Sequence, residues 1–122
     1  MFIIDTKRCY LREFSEADLP SFMELCTDPQ VRKFMGGAMQ ESAIREIFSV
    51  LLKNTKKYNR WAIIHRGDHK FIGEAGLTEL FEGEIELGYS LLPQYWGKGL
   101  ATEVAKAIGT WAFTNLNIAN PL

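Results

Sequence analysis

Four things are scarce in this 122-residue chain, and each scarcity closes off a class of function. The only cysteines are Cys9 and Cys26, and neither has a motif partner. A disulfide framework or a cysteine-rich zinc site needs more thiols at set spacings, so both are expected as buried free thiols, Cys9 in a strand and Cys26 in a helix. Charge of one sign is also missing: 14 Lys and Arg are scattered among 15 Asp and Glu, for a net charge of −1. No basic face is left to neutralise a phosphate backbone, which argues against a nucleic-acid binder. Long apolar runs are absent too. Met1-Phe2-Ile3-Ile4 meets Asp5, Lys7 and Arg8 at once, far too soon for a signal peptide or a membrane span, and the protein is expected in the cytoplasm. Histidine occurs only as His65 and His69, flanking a strand turn at a spacing that suits a metal on a helix and not across a hairpin, so no metal is expected.

What is present suits a compact domain. With 47% hydrophobic and 24% charged residues and no repeat, low-complexity tract or linker, residues 1–122 read as one domain with one core. Arg8 to Phe14 alternates with the period of a strand. Ser15-Glu16-Ala17-Asp18 has the form of a capping box, but Pro20 sits too deep for a helix that starts at Ser15, so Asp18 is the alternative cap. From either start, Leu19, Phe22, Met23 and Cys26 share a helix face. Asp28-Pro29 opens a further short turn through Phe34, stopped by Gly36-Gly37. Ile44, Ile47, Phe48, Leu51 and Leu52 then recur at i, i+3, i+4, i+7 and i+8, with Glu41 near the start and Lys53, Lys56 and Lys57 near the end, as the helix dipole favours. Three strands follow: Tyr58 to His65, Lys70 to Leu80 and Glu84 to Leu92, turning at Arg66-Gly67-Asp68 and at Glu82-Gly83-Glu84, which predicts an antiparallel meander. Trp61 is assigned to the meander core and Trp111 to the buried face of the last helix.

The richest stretch is Gln94-Tyr95-Trp96-Gly97-Lys98-Gly99-Leu100-Ala101. Pro93 ends the preceding strand, two glycines let backbone N–H groups approach a ligand, and Leu100, Val104, Ile108 and Trp111 begin a helix immediately. A helix N-terminus there presents unpaired N–H donors and about half a positive charge, the makings of a pyrophosphate cradle. It is not a Walker A loop, because Leu92 stands where the first glycine belongs and Gly99, not Ser or Thr, follows Lys98. Nor is it the dinucleotide fingerprint. Thr102 replaces the third glycine, and Asn117 and Asn120 lie where an acidic residue belongs.

The loop resembles the acyl-CoA loop of the GNAT superfamily of N-acetyltransferases, with Gln94, Gly97 and Gly99 matching Gln/Arg-x-x-Gly-x-Gly/Ala. Glu86-Leu87-Gly88-Tyr89 before it, the run from Pro93 to Glu103 through it, and the segments Tyr10 to Phe14 and Thr27 to Arg32 are similar to the branch of ribosomal-protein N-terminal acetyltransferases (RimJ/RimL-like). That resemblance implies an α+β fold, a mostly antiparallel sheet flanked by helices. It implies acetyl-CoA as co-substrate and a primary amine as acceptor, either a protein N-terminus or a small molecule. In such proteins a bulge splays the strand before the loop from its neighbour and pantetheine lies in the gap. Leu91 and Leu92 would then meet pantetheine, and the backbone of Gln94, Tyr95, Trp96, Gly97, Lys98, Gly99, Leu100, Ala101 and Thr102 the rest of the cofactor. Acceptor contacts fall in variable segments such as Gly36 to Ser42.

The implied reaction is attack of a neutral amine on a thioester, which needs reactants held in attack geometry, an oxyanion stabilised and an ammonium deprotonated. A partly buried glutamate can serve as base near neutral pH, and Glu86 is the candidate, against the plainer reading of a solvated strand residue. Alternation puts Glu84, Glu86, Gly88 and Ser90 on one strand face. Beyond Phe113 no counterpart of the family's closing strands and helix is assigned, so the expected fold is C-terminally truncated. An open sheet edge would then favour a homo-oligomer in which Leu116 to Leu122 or that edge pairs with a second copy. The competing class is a non-catalytic remnant that binds CoA, or nothing, and persists as a partner-completed module.

Overall fold

A computed structural model describes residues 2–53, 59–79 and 84–115. The elements run β1 (Phe2–Asp5), β2 (Cys9–Arg12), α1 (Leu19–Thr27), α2 (Pro29–Arg32), α3 (Glu41–Leu52), β3 (Asn59–His65), β4 (Lys70–Glu79), β5 (Ile85–Leu91) and α4 (Leu100–Asn115). The strands form a single antiparallel sheet in the order β1-β2-β3-β4-β5. The fold is therefore α+β, with the expected meander of β3, β4 and β5 at its centre and edge. The short β1 is an addition to the sequence reading, where Phe2 to Ile4 registered only as a brief apolar run.

Local chemistry explains where α1 and α2 start. A 3-10 turn over Glu16–Asp18 precedes α1, and Pro20 lies in the first turn of α1, where its missing N–H costs nothing. Asp18 plays two parts: its Oδ2 accepts from Ser15 N at 2.8 Å, and its two oxygens take both Nη atoms of Arg12 at 2.7 and 2.8 Å. The pair is buried at Asp18, which is 5% exposed. Asp28 caps α2 by accepting from Gln30 N and Val31 N, and Gly36 and Gly37, at φ +92° and +84°, turn the chain away from it.

Each sheet face has its own core. On one face α4 packs Leu100, Val104, Ile108 and Ala112 against Leu11, Trp61, Ile63, Ile72 and Leu77. Trp111 meets Trp61 edge-on there, with centroids 5.0 Å apart. On the other, α1 and α3 bring Phe22, Leu25, Ile44 and Phe48 to Phe14, Ala62, Ile64 and Phe71. Cys9 and Cys26 are buried free thiols, as their lack of motif partners suggested, one in each core. Burial pushes both up to about 11.

One implied feature is corrected. β5 keeps register with β4 from Ile85 to Leu91 without a shift, so the bulge implied for this strand is absent over these residues. The sheet's irregularities lie between Phe2 and Ile4 and between Ile63 and Ile64. Gly73 permits the close pairing: β4 and β5 approach so closely opposite Leu91 that a Cβ on Gly73 would stand 2.1 Å from the Ser90 carbonyl oxygen.

Candidate active site

β5 ends at Leu91, and Leu92 N donates to Ile72 O at 2.8 Å, which fixes the direction of the last rung. Antiparallel alternation then turns the N–H and C=O of Leu91, Tyr89 and Leu87 away from β4. A 3-10 turn over Pro93–Tyr95 follows, held by Tyr95 N on Leu92 O and Trp96 N on Pro93 O. Gly97 and Gly99 both take positive φ, +74° and +77°, which side chains rarely adopt. Past the turn, the next backbone N–H to find a backbone acceptor among the described residues is that of Glu103, on Gly99 O. The donors from Gly97 to Thr102 are thus left over, at the positive end of a sixteen-residue helix.

These donors border a cleft of about 450 Å³ lined by Val31, Met35, Tyr89, Ser90 and much of the loop. Of the residues singled out from sequence, Leu91, Tyr95, Trp96, Gly97, Gly99, Leu100, Ala101 and Thr102 line it. Leu92, Gln94 and Lys98 do not. Leu92 is buried in the α1–α3 core, Gln94 is exposed, and the Lys98 ammonium lies 5.8 Å from the centre of the Tyr95 ring. Trp96 does more than line the wall. Its indole N–H donates to Leu91 O at 2.8 Å and so ties the turn to the strand end. A Cβ on Gly97 would meet nothing within 4 Å, so conformation and open space toward a ligand, not packing, call for glycine there.

A second cleft, of about 430 Å³, shares Val31, Met35, Tyr89 and Ser90 with the first and opens on the α1–α3 side. Its walls are mainly apolar, including Phe22, Leu25, Met39 and Ile47, and its charged groups are Arg32, Arg60 and Glu74. Arg60 and Glu74 are ion-paired, with the Glu74 side chain 13% exposed. Arg32 spans the Gly-Gly turn by donating to Gly37 O and Met35 O. Met39 falls within the variable segment named from sequence, but Arg60, Glu74 and Val31 were not foreseen. Met35, exposed beside the Gly-Gly turn, lines both clefts.

Glu86 lies on the sheet face of Gly88 and Ser90, opposite Thr78, which lines the second cleft. It is exposed, borders neither of the two clefts and stands in a shallow depression at the β5 edge with Thr102 and Lys106. His65 and His69 make polar contacts to Asp68 and to Tyr10. No cluster of His, Cys, Asp and Glu fit for a metal occurs among the described residues.

A family model described as the acetyltransferase (GNAT) domain matches residues 8–120. The chain belongs to the GNAT acetyltransferase family. It is 27% identical over 124 residues to the uncharacterized N-acetyltransferase YoaA of Bacillus subtilis, an alignment covering 96% of this chain and 70% of the relative. A GNAT-family acetyltransferase from Bacillus anthracis superposes with a TM-score of 0.81 at 26% identity, covering 97% of this chain and 69% of that one. The spermidine N-acetyltransferase of Vibrio cholerae, solved with CoA and spermine, shares the fold at a TM-score of 0.76 and 18% identity, over 91% of this chain and 67% of that one. GNAT enzymes use acetyl-CoA, and the residues of the first cleft suit it: a cradle of N–H donors for a pyrophosphate and a strand edge to meet an amide-bearing arm, both without a backbone partner among the described residues.

Proposed function

We propose that this GNAT domain moves the acetyl group of acetyl-CoA to the α-amine of a protein N-terminus, in the manner of the RimJ/RimL-like branch its motifs resemble. The observation behind this reading is that the two clefts adjoin at Tyr89 and Ser90, one rimmed by unpaired backbone donors and the other by apolar side chains. In this reading the loop from Gln94 to Thr102 binds the pyrophosphate, and the outward groups of Tyr89 and the outward N–H of Leu91, whose carbonyl already accepts from Trp96, meet the pantetheine amides. Leu92 anchors the strand end, while Gln94 and Lys98 contribute main chain and not side chains. The second cleft receives the residue that bears the amine. Its Arg60–Glu74 pair is internally neutralised and Arg32 adds positive charge, which favours an apolar residue over a polycation.

Glu86 is the proposed base although it is exposed and not partly buried, and because it borders neither cleft it would take the amine proton through water. Its carboxylate has no hydrogen bond or ion pair among the described residues, unlike Glu74. A charge held by a partner is a poor proton acceptor, and an unengaged one is available. We further propose that the chain acts as one domain in the cytoplasm, and that the β5 edge, unpaired among the described residues, is covered by a second copy. The Leu116 to Leu122 segment proposed for that contact lies outside the described residues.

The test is a titration with acetyl-CoA followed by acetyl transfer to a panel of peptides, spermidine and simple amines. Binding together with transfer to peptide N-termini is expected. Folded protein that does not bind CoA would overturn the reading, preferential transfer to spermidine would overturn the acceptor, and binding without any transfer would make the chain a CoA-binding module.

A further inference from the structure

The first turn of α4 contains an electrostatic conflict. Glu103 stands there, in the same turn whose N–H groups border the first cleft. A carboxylate at that place would offset the half-charge of the helix end and repel a pyrophosphate. Its surroundings resolve the conflict. Oε1 accepts from Arg8 Nε at 2.8 Å, and Oε2 accepts from Arg8 N at 2.8 Å and Thr6 Oγ1 at 2.6 Å. Burial alone would raise this carboxyl, yet the bonds from Thr6 and Arg8 together hold it below its ordinary value. The charge is cancelled and the carboxylate occupied on the β1–β2 side.

Arg8 also grips the loop itself. Its Nη1 donates to Lys98 O at 2.8 Å, and Nη2 stands 3.5 Å from where a Cβ on Gly99 would be. In a planar trans peptide the carbonyl of one residue and the N–H of the next point in opposite directions. Drawing Lys98 O toward Arg8 therefore aims the Gly99 N–H away from Arg8. Gly99 lines the first cleft, and Arg8 does not.

We propose that Arg8 is a positioning residue for the cofactor loop: it neutralises Glu103 and locks the Lys98–Gly99 peptide, so that the pyrophosphate of acetyl-CoA meets donors without a competing carboxylate. The proposal rests on the acetyl-CoA reading of the first cleft. Four proteins test it by calorimetric titration with CoA: wild type, Arg8→Gln, Glu103→Gln and the double variant, each with its thermal midpoint recorded. Arg8→Gln should weaken CoA by about ten- to a hundredfold, because it leaves a carboxylate unpaired beside the anion. Glu103→Gln alone should stay within about threefold of wild type, and the double variant should recover the share of the loss that comes from the unpaired carboxylate, keeping only the share that comes from the lost grip on Lys98 O. Raising the salt should narrow the gap between Arg8→Gln and wild type.

A purely structural strap predicts the reverse pattern, in which Glu103→Gln is as damaging as Arg8→Gln and the double variant recovers nothing. That result, or wild-type affinity in Arg8→Gln, would overturn the proposal. Arg8→Lys covers the case of poor folding: retaining charge, it should lose less affinity than Arg8→Gln, and an equal loss in a folded protein would overturn the charge argument. Failure of the folded wild type to bind CoA at all is a different outcome, and it would remove the acetyl-CoA reading together with the proposal.

Discussion

The two clefts that meet at Tyr89 and Ser90 are built in opposite ways. The first takes ten of its twelve lining residues from one stretch between Tyr89 and Thr102, and its chemistry is main-chain N–H. The second gathers α1, the α2 region, α3, β3, β4 and β5, and its chemistry is side chains. A site made of backbone in a short run tolerates sequence change at most positions and demands glycine at a few. A site assembled from six elements can change its ligand with any one of them. If the first cleft takes the cofactor and the second the acceptor, as proposed above, the cofactor side is fixed by conformation and the acceptor side by composition.

The change that should disturb most breaks both clefts together. Gly73→Ala would force a Cβ to 2.1 Å from Ser90 O, which neither strand backbone can relieve without parting. We expect a loss of about 3 kcal/mol or more in denaturant unfolding, with CoA binding weakened in whatever protein remains folded. Near-normal stability would mean that β4 and β5 separate easily here.

Breaking only the first cleft comes next. Gly97→Val and Gly99→Val place β-branched residues at φ +74° and +77° and should each cost about a hundredfold or more in CoA affinity by calorimetry. Unchanged affinity in both would remove the loop from the cofactor site. Glu86→Gln sharpens the division between binding and chemistry: turnover near neutral pH should fall by about a hundredfold with acetyl-CoA affinity intact. Wild-type turnover across the pH range would make Glu86 an ordinary surface residue of β5.

On the acceptor side, Glu74→Gln removes the partner of Arg60 inside the second cleft. The acceptor KM should rise about tenfold while CoA affinity stays within roughly twofold, a split visible in steady-state kinetics. An equal effect on both ligands would show that the clefts are not separable.

The smallest effect concerns acid. The Glu103 carboxyl is held below its ordinary 4.5, so its contribution to stability is complete above that value and is lost as pH falls through the lower folded value. Thermal midpoints followed from about pH 6 downward should drop less steeply in Glu103→Gln than in wild type. Parallel curves would show that Thr6 and Arg8 hold this group no better than water does.

Much of this was legible along the chain because it is local. The Asp28 cap, the Ile44–Phe48 stripe, the free thiols and the double-glycine loop each depend on neighbours within a few residues. Even the pairing of β3 with β4 followed from the short turn at Arg66-Gly67-Asp68, while Glu82 and Gly83 of the second expected turn lie outside the described residues. The wrong or missing parts are those where distant segments meet. Nothing near Leu91 announces that it will pair closely and in register with Gly73, since the two come opposite only through the register of β4 and β5. β1 is four residues long, and without β2 beside it has no more strand character than any short apolar run.

The sequence alone therefore determined the loop, its glycines, the helix behind it and the family they resemble, because backbone conformation and capping are decided within about one helical turn. Only the tertiary structure decided what surrounds that loop. Arg8 and Glu103 are 95 residues apart in the chain, and Arg60 and Glu74 meet on a diagonal between the paired strands β3 and β4. Charges so separated pair only where strand register and the packing of α4 on the sheet bring them together. The physical reason is range: a side chain reaches a few ångströms, and which side chains lie within that reach is set by packing.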